Sequence, residues 1–437
     1  MRALPSHVDI VVIGAGITGL VLASRLRAAG KSVVVLERES QPGGLLASVR
    51  IGQVTVDRYY HHFFSRDIRL MTLLSDIGLS SQTSWYSTST ALLDNTGFHR
   101  LTTPLEILTY GGLSLIDKAR LALLMKTARR TRFTSKMDDI SAKSWAVSIA
   151  GKHVWERFLF PLVHAKFGRN CDEISAAWLA GRISCRSSRR WRGERLGYIN
   201  KGFFQLPARM AEDLGKSLFL DHTATGIIMD RHEIKGIDSG GQSVRCSDIV
   251  FTGGVRALAE FLGERASAIL PSLEDIGFQG ILCGIFTVNK PPKGAYWTNV
   301  IAPGAPFNVV VQQNLLSRLS DSVSVIYVSK YLEPTNLPLS SPQTEHMLDE
   351  FQQGLRRFFD IRAEDIEDRT LVGTSDAGPV YSIGYRTRMA RLKPRIKGLH
   401  IGGMLLSYPD RSVEQSVEQA EILSERILGL KRTGDSG

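Results

Sequence analysis

Residues 9–37 read DIVVIGAGITGLVLASRLRAAGKSVVVLE. The β-branched run Ile10–Ile13 has the character of a buried parallel strand. Gly14-Ala15-Gly16-Ile17-Thr18-Gly19 follows, then apolar residues at helical spacing up to Gly30, a helix stop. Residues 32–36 predict a second strand, with Glu37 at its carboxyl end. Each glycine has a separate job in such a turn. Gly14 permits the tight bend, Gly16 leaves the backbone bare for a pyrophosphate, and Gly19 lets helix and strand pack closely. The helix N-terminus presents free N–H groups and a partial positive charge to phosphate. Glu37 stands where a carboxylate can accept from ribose hydroxyls and would repel a 2′-phosphate. Strand, turn, helix, strand and acid in register predict a dinucleotide site.

Outward from this stretch, the 437 residues suffice for two or three structural units. With 43% hydrophobic and 22% charged residues the chain is globular rather than disordered. Its net charge of +11 suggests an anionic partner, whether a phosphorylated small molecule or an anionic membrane surface. Nucleic acid is not expected, because no recognition motif accompanies the basic residues. Cys171, Cys185, Cys246 and Cys283 form no C-x-x-C pair and lie at no metal spacing from histidine, so a metal site is not expected. Their spacing suits free thiols in a reducing, cytoplasmic setting. Residues 8–26 are apolar, but Asp9, Gly14, Gly16 and Gly19 interrupt them, and no membrane-spanning helix is expected.

Gln41-Pro42-Gly43-Gly44 adds a second glycine pair just past the acid, which NAD binding does not need. It resembles the extended FAD signature of the amine oxidase, phytoene desaturase and protoporphyrinogen oxidase superfamily. Val56 to Phe64 resembles the following segment near the isoalloxazine, and Phe167-Gly168 with Glu173–Ala176 a substrate-domain signature. Tyr198–Phe203 resembles the turn leading back to the FAD domain, Leu218–Ile228 a strand under the adenosine, and Ser247–Thr252 the strand ending the nucleotide core. Lys397–Gly403 resembles the last strand and its flavin turn, and Tyr408–Val413 opens a helix aimed at the flavin, with Ser412 and Gln415 fitting a capping box. Two departures stand out. Leu45-Leu46 occupy positions where many relatives carry Arg, and Gly403 stands where many carry Asp.

The resemblance implies an α/β fold: a Rossmann-like FAD-binding domain of glutathione-reductase type, an inserted mostly helical cap and a strand-rich substrate-binding portion. The expected units are 1–84, 201–270 and 391–437 for FAD, 85–200 for the cap and 271–390 for the substrate sheet. Helical patterns in the cap cover 104–111, 113–134, 143–165 and 173–184. Expected cofactor contacts are Gly14, Gly16, Ile17, Thr18, Gly19, Glu37, Arg38, Gly43, Gly44, Leu45, Gly402, Gly403, Arg411, Ser412 and Val413.

His62, His61 and Tyr60 sit among aromatic residues and are the catalytic candidates, since imidazole shuttles protons near neutral pH. Lys166, Arg189, Arg190 and Tyr381 are candidate substrate contacts. The Arg-rich stretch 186–195 reads either as a solvated loop or as an anion clamp, and 113–134 either as a solvated face or as a basic surface for peripheral membrane contact. The leading expectation is an FAD-dependent oxidoreductase passing hydride from a small-molecule or lipid-linked substrate to flavin N5, with O2 or another acceptor. His62-Phe63-Phe64 also resembles a segment of UDP-galactopyranose mutases, a non-redox alternative. A non-catalytic binding protein like the GDP-dissociation inhibitors is the third.

Overall fold

The computed structural model describes residues 2–131, 135–185, 194–320 and 323–430. Five short strands form a parallel sheet: β1 (Ile10–Ile13), β2 (Val33–Leu36), β3 (Leu218–Phe219), β4 (Asp248–Phe251) and β5 (Leu399–Ile401). Their spatial order is β5-β4-β1-β2-β3. Every residue of β1 and β2 is buried, as strands covered on both faces must be. The helices include α1 (Ile17–Ala28), α2 (Pro104–Thr109), α3 (Leu115–Arg130), α4 (Phe160–Phe167), α5 (Ala176–Cys185) and α6 (Val413–Ile427). α1 leaves the carboxyl end of β1 and packs against α6, where the Thr18 hydroxyl donates to the Ser416 carbonyl at 3.3 Å.

A second, seven-stranded mixed sheet runs in the order 366–379, 278–288, 324–332, 309–312, 297–300, 90–94, 97–100. Its second strand, Phe278–Val288, is buried at every residue. Asp57, at the end of the strand Val54–Asp57, ties the strand Glu194–Ile199 to the large sheet. Its carboxylate accepts from the Tyr198 hydroxyl at 2.6 Å and from the Phe204 N–H at 3.0 Å, and Tyr327 of the large sheet donates to the Asp57 carbonyl at 2.9 Å. Burial pushes the Asp57 carboxyl up to about 6.

Several expectations need correction. The unit expected as a mostly helical cap opens on strands: Thr83–Thr88 pairs with Glu194–Ile199, and Thr90–Asp94 joins the large sheet in parallel with Trp297–Val300. The helical pattern 143–165 is cut at Gly151, which adopts φ +85°. Leu218–Ile228 is not one strand. After β3 the chain turns at Asp221, and Ala224–Asp230 pairs instead in a three-stranded antiparallel sheet. Ser412 caps α6 by accepting from Gln415 N–H at 3.1 Å, but the Gln415 side chain reaches Glu418, so the capping box is half formed. No helix among the described residues is long and apolar enough to cross a membrane.

A Cβ at Gly19 would run into the Gly14 carbonyl, so α1 sits on β1 only because that position is bare. Gly19→Ala is expected to cost at least about 1–3 kcal/mol of stability, the usual range for overpacking. Denaturant unfolding monitored by circular dichroism checks this; wild-type stability would contradict it.

Candidate active site

The turn after β1 faces a cavity of about 980 Å³. Gly14 has φ +103°. Gly16 is extended, at φ −69°, and no atom lies within 4 Å of where its Cβ would be. Gly43 and Gly44, at φ +118° and +57°, lie alongside, with the Gly43 N–H donating to the Ala15 carbonyl at 2.8 Å. Two stretches of bare backbone thus border one opening. The Glu37 carboxylate accepts from the Ala15 and Glu39 N–H groups at 2.7 and 3.0 Å while still lining the cavity. Arg38, Ile17, Thr18 and Leu45 line it too.

Gly19, Gly402 and Gly403 do not. Gly19 is buried in the contact of α1 with β1, and Gly403 packs on Thr252, which does line the cavity. Gly403 has φ +80°, and a Cβ would come within 2.8 Å of the Thr252 carbonyl. With this backbone conformation a side chain there would be both strained and crowded. Ser412, Val413 and Arg411, at the N-terminus of α6, form part of the wall.

At the other end of the same cavity stand Tyr60, His61 and His62, in a segment with no regular secondary structure. His61 Nδ1 lies 2.7 Å from the Tyr59 carbonyl, so Nδ1 donates and Nε2 keeps its lone pair. Burial lowers the His61 pKa to about 4 and keeps the ring neutral at neutral pH. His62 Nδ1 is 3.0 Å from the Tyr296 hydroxyl, and its ring meets Phe64 and Trp297 edge-on. Tyr60 packs edge-on against Trp297 at 5.1 Å, and burial raises its phenol well above the usual range.

Lys166 also lines the cavity, from the C-terminal turn of α4. Its Nζ lies over the Trp178 ring at 4.8 Å, and burial lowers its pKa to about 7. Tyr381 is buried without lining the cavity, edge-on to Tyr385 at 5.0 Å, and its hydroxyl has no hydrogen-bond partner among the described residues. Arg189 and Arg190 lie outside the described residues.

Three cavity residues escaped sequence reasoning. Arg182 of α5 binds Asp410 at 3.2 Å, and the cations around Asp410 hold its carboxyl low despite burial. These partners are 228 positions apart, so no local pattern joins them. Asp376 has one carboxylate oxygen buried without a partner among the described residues. Such an orphaned acceptor, beside bare glycine backbone, suits a ligand rich in hydroxyls and phosphate.

A family model described as flavin containing amine oxidoreductase matches residues 17–428. The chain belongs to that family, and FAD is its cofactor. It is similar to protoporphyrinogen oxidase 2 of Arabidopsis thaliana chloroplasts and mitochondria, 26% identical over 173 residues. That match covers 38% of this chain and 34% of the relative, so about a third of the relative's length is spanned. Among solved structures, reduced UDP-galactopyranose mutase superposes with a TM-score of 0.76 at 17% identity, covering 97% of this chain and 96% of that one. Putrescine oxidase bound to putrescine gives 0.74 at 15%, covering 97% and 99%. At these identities the likeness is one of fold.

Since Gly16 faces open space in a conformation open to any residue, Gly16→Ala is expected to fold normally. Its FAD affinity falls by on the order of tenfold, about 1.4 kcal/mol, because the methyl group occupies the phosphate's path. Thermal melting of the apoprotein and an FAD fluorescence titration separate the two effects; unchanged affinity would refute the assignment of this backbone to phosphate.

Proposed function

We propose that the chain is an FAD-dependent oxidoreductase that removes hydride from a small-molecule substrate held beside Tyr60, His61 and His62. The observation that carries this reading is the single cavity running from the Gly14–Gly16 turn to the His61 segment. Gly14, Gly16, Gly43 and Gly44 would seat the pyrophosphate, with Ile17 and Thr18 at the dipole end of α1. Glu37 would accept from the adenosine ribose and Asp376 from a further hydroxyl. Ser412 and Val413 would turn the positive end of α6 toward the flavin. FAD, when bound, supplies the hydride acceptor. In this reading the five parallel strands with α1 and α6 are the cofactor domain. The helices between 104 and 185 are the cap, and the large sheet is the substrate floor.

The chain's own residues handle the proton. His61 presents a neutral Nε2 to the cavity, its tautomer set by the Tyr59 carbonyl. Tyr60, Phe64 and Trp297 surround the histidines with aromatic rings that exclude water. Anaerobic addition of a true substrate should bleach the flavin absorbance. Replacing His61 with Gln should slow bleaching by about 10²-fold, the lower end of general-base effects. The wild-type rate should fall as pH drops through about 4, where His61 takes up a proton. Full turnover by permanently oxidised enzyme that is never bleached would exclude this reading, and also a mutase that works with reduced flavin.

A peripheral membrane contact is a second part of the proposal. Leu105 and Leu108 of α2 and Leu115, Ile116 and Leu123 of α3 are 52–75% exposed. Arg120, Lys126, Arg129 and Arg130 are exposed on the same α3 helix, whose opposite face buries Leu121, Leu124 and Ala128. Exposed aliphatics flanked by cations fit an anionic lipid surface. The protein should co-sediment with phosphatidylserine vesicles and not with phosphatidylcholine vesicles. Leu115→Ser with Ile116→Ser should abolish this; unchanged sedimentation would refute it.

A further inference from the structure

We propose that the part of the cavity lined by Lys166, Arg182 and Arg411 is an anion-binding site, and that the substrate carries a carboxylate or phosphate group rather than a free amine. The inference rests on the oxidoreductase reading and names the substrate class for it. Three cations converge there from three elements: Lys166 at the end of α4, Arg182 on α5 and Arg411 at the start of α6, all lining the cavity. Asp410 is the carboxylate that faces them. It takes Arg182 at 3.2 Å and the Trp178 indole N–H at 3.3 Å. One acid against three bases leaves the end of the cavity with a surplus of positive charge.

That surplus is directed at the cavity. Arg411 has no ion pair or side-chain hydrogen bond among the described residues, and its guanidinium lies against the Gly378 backbone. It acts electrostatically on Lys166 and Asp410 on one side and on Tyr59, Tyr60 and His61 on the other. An anion held here therefore stands next to the proposed proton acceptor. Lys166 faces Asp410, Arg182, Arg411 and the Cys185 thiol, with the Phe167 and Trp178 rings over its Nζ. Burial depresses its pKa to about 7, and a bound anion would restore the charge. Trp297, Tyr331 and Tyr60 line the approach, so the body of the ligand is apolar or aromatic. Putrescine, the diamine bound by a structural relative, would meet two permanent positive charges and a partly protonated Lys166 with one acid to offset them.

The test is calorimetric titration of the FAD-loaded, full-length protein with phenylacetate, phenyl phosphate and phenethylamine, about one pH unit below and above 7. At the lower pH the better of the two acids should bind at least about tenfold more tightly than the amine. Comparing the acids separates carboxylate from phosphate. Affinity for the acid should fall by about tenfold at the higher pH as Lys166 loses its proton. Lys166→Met should lose both the affinity and the pH step. Lys166→Arg, always charged, should bind the acid with no pH step, which a merely structural lysine would not produce. Melting temperature and flavin content confirm that each variant is folded. The proposal is overturned if the amine binds as tightly as the acids, if neither acid binds, or if Lys166→Met keeps both affinity and pH step. Binding requires no turnover. Acid binding without any substrate-driven bleaching would sink the oxidoreductase reading and leave the anion site standing; bleaching by amines without acid binding would do the reverse.

Discussion

The close seating of α1 on β1 is the constraint on which the rest depends. It exists because Gly19 offers no Cβ to the Gly14 carbonyl. With the helix that near, its N-terminal dipole and the bare backbone of Gly16 point into the same space. Gly43 then approaches from the next loop, and its bond to Ala15 brings the second glycine pair alongside the first. A single bare contact thus brings the helix end and the bare backbone to one side of the cavity.

The cavity's far end is assembled differently. Its histidines come from a loop after Val54–Asp57, its cations from α4, α5 and the start of α6, and its floor from the large sheet. Asp57 is the joint among these parts. A buried carboxylate accepting from Tyr198 and Phe204 while its own carbonyl takes Tyr327 fixes the loop entry against both the return strand 194–199 and the sheet. Burying an acid this deeply disfavours its charged form, an expense met by hydrogen bonds that no apolar residue could make.

How much could be read in advance depends on range. The β1–turn–α1–β2 unit was legible because all of its signals lie within 29 consecutive residues. Gly14, Gly16 and Glu37 were legible for the same reason, and Gly43 and Gly44 from their resemblance to the extended FAD signature. The run 218–228 misled because its β-branched character continues through a turn at Asp221 into a different sheet, and only long-range pairing separates the two. Residues 83–88, TSWYST, carry little apolar alternation and find their partner more than a hundred positions away. The Arg182–Asp410 pair was invisible, and so was its effect on Lys166. What sequence offered instead, the arginines at 189 and 190, lies outside the described residues.

In the reading proposed above, the glycine-bordered end of the cavity would hold the adenosine diphosphate half of FAD and set the cofactor's affinity. Titrating the apoprotein with FAD and with FMN, which keeps one phosphate of that half and lacks its adenosine monophosphate part, separates the two ends of the cofactor. FAD should bind more tightly than FMN by at least about a hundredfold, roughly 2.7 kcal/mol, with ADP competing against FAD. Equal affinity for the two flavins, or indifference to ADP, would contradict it.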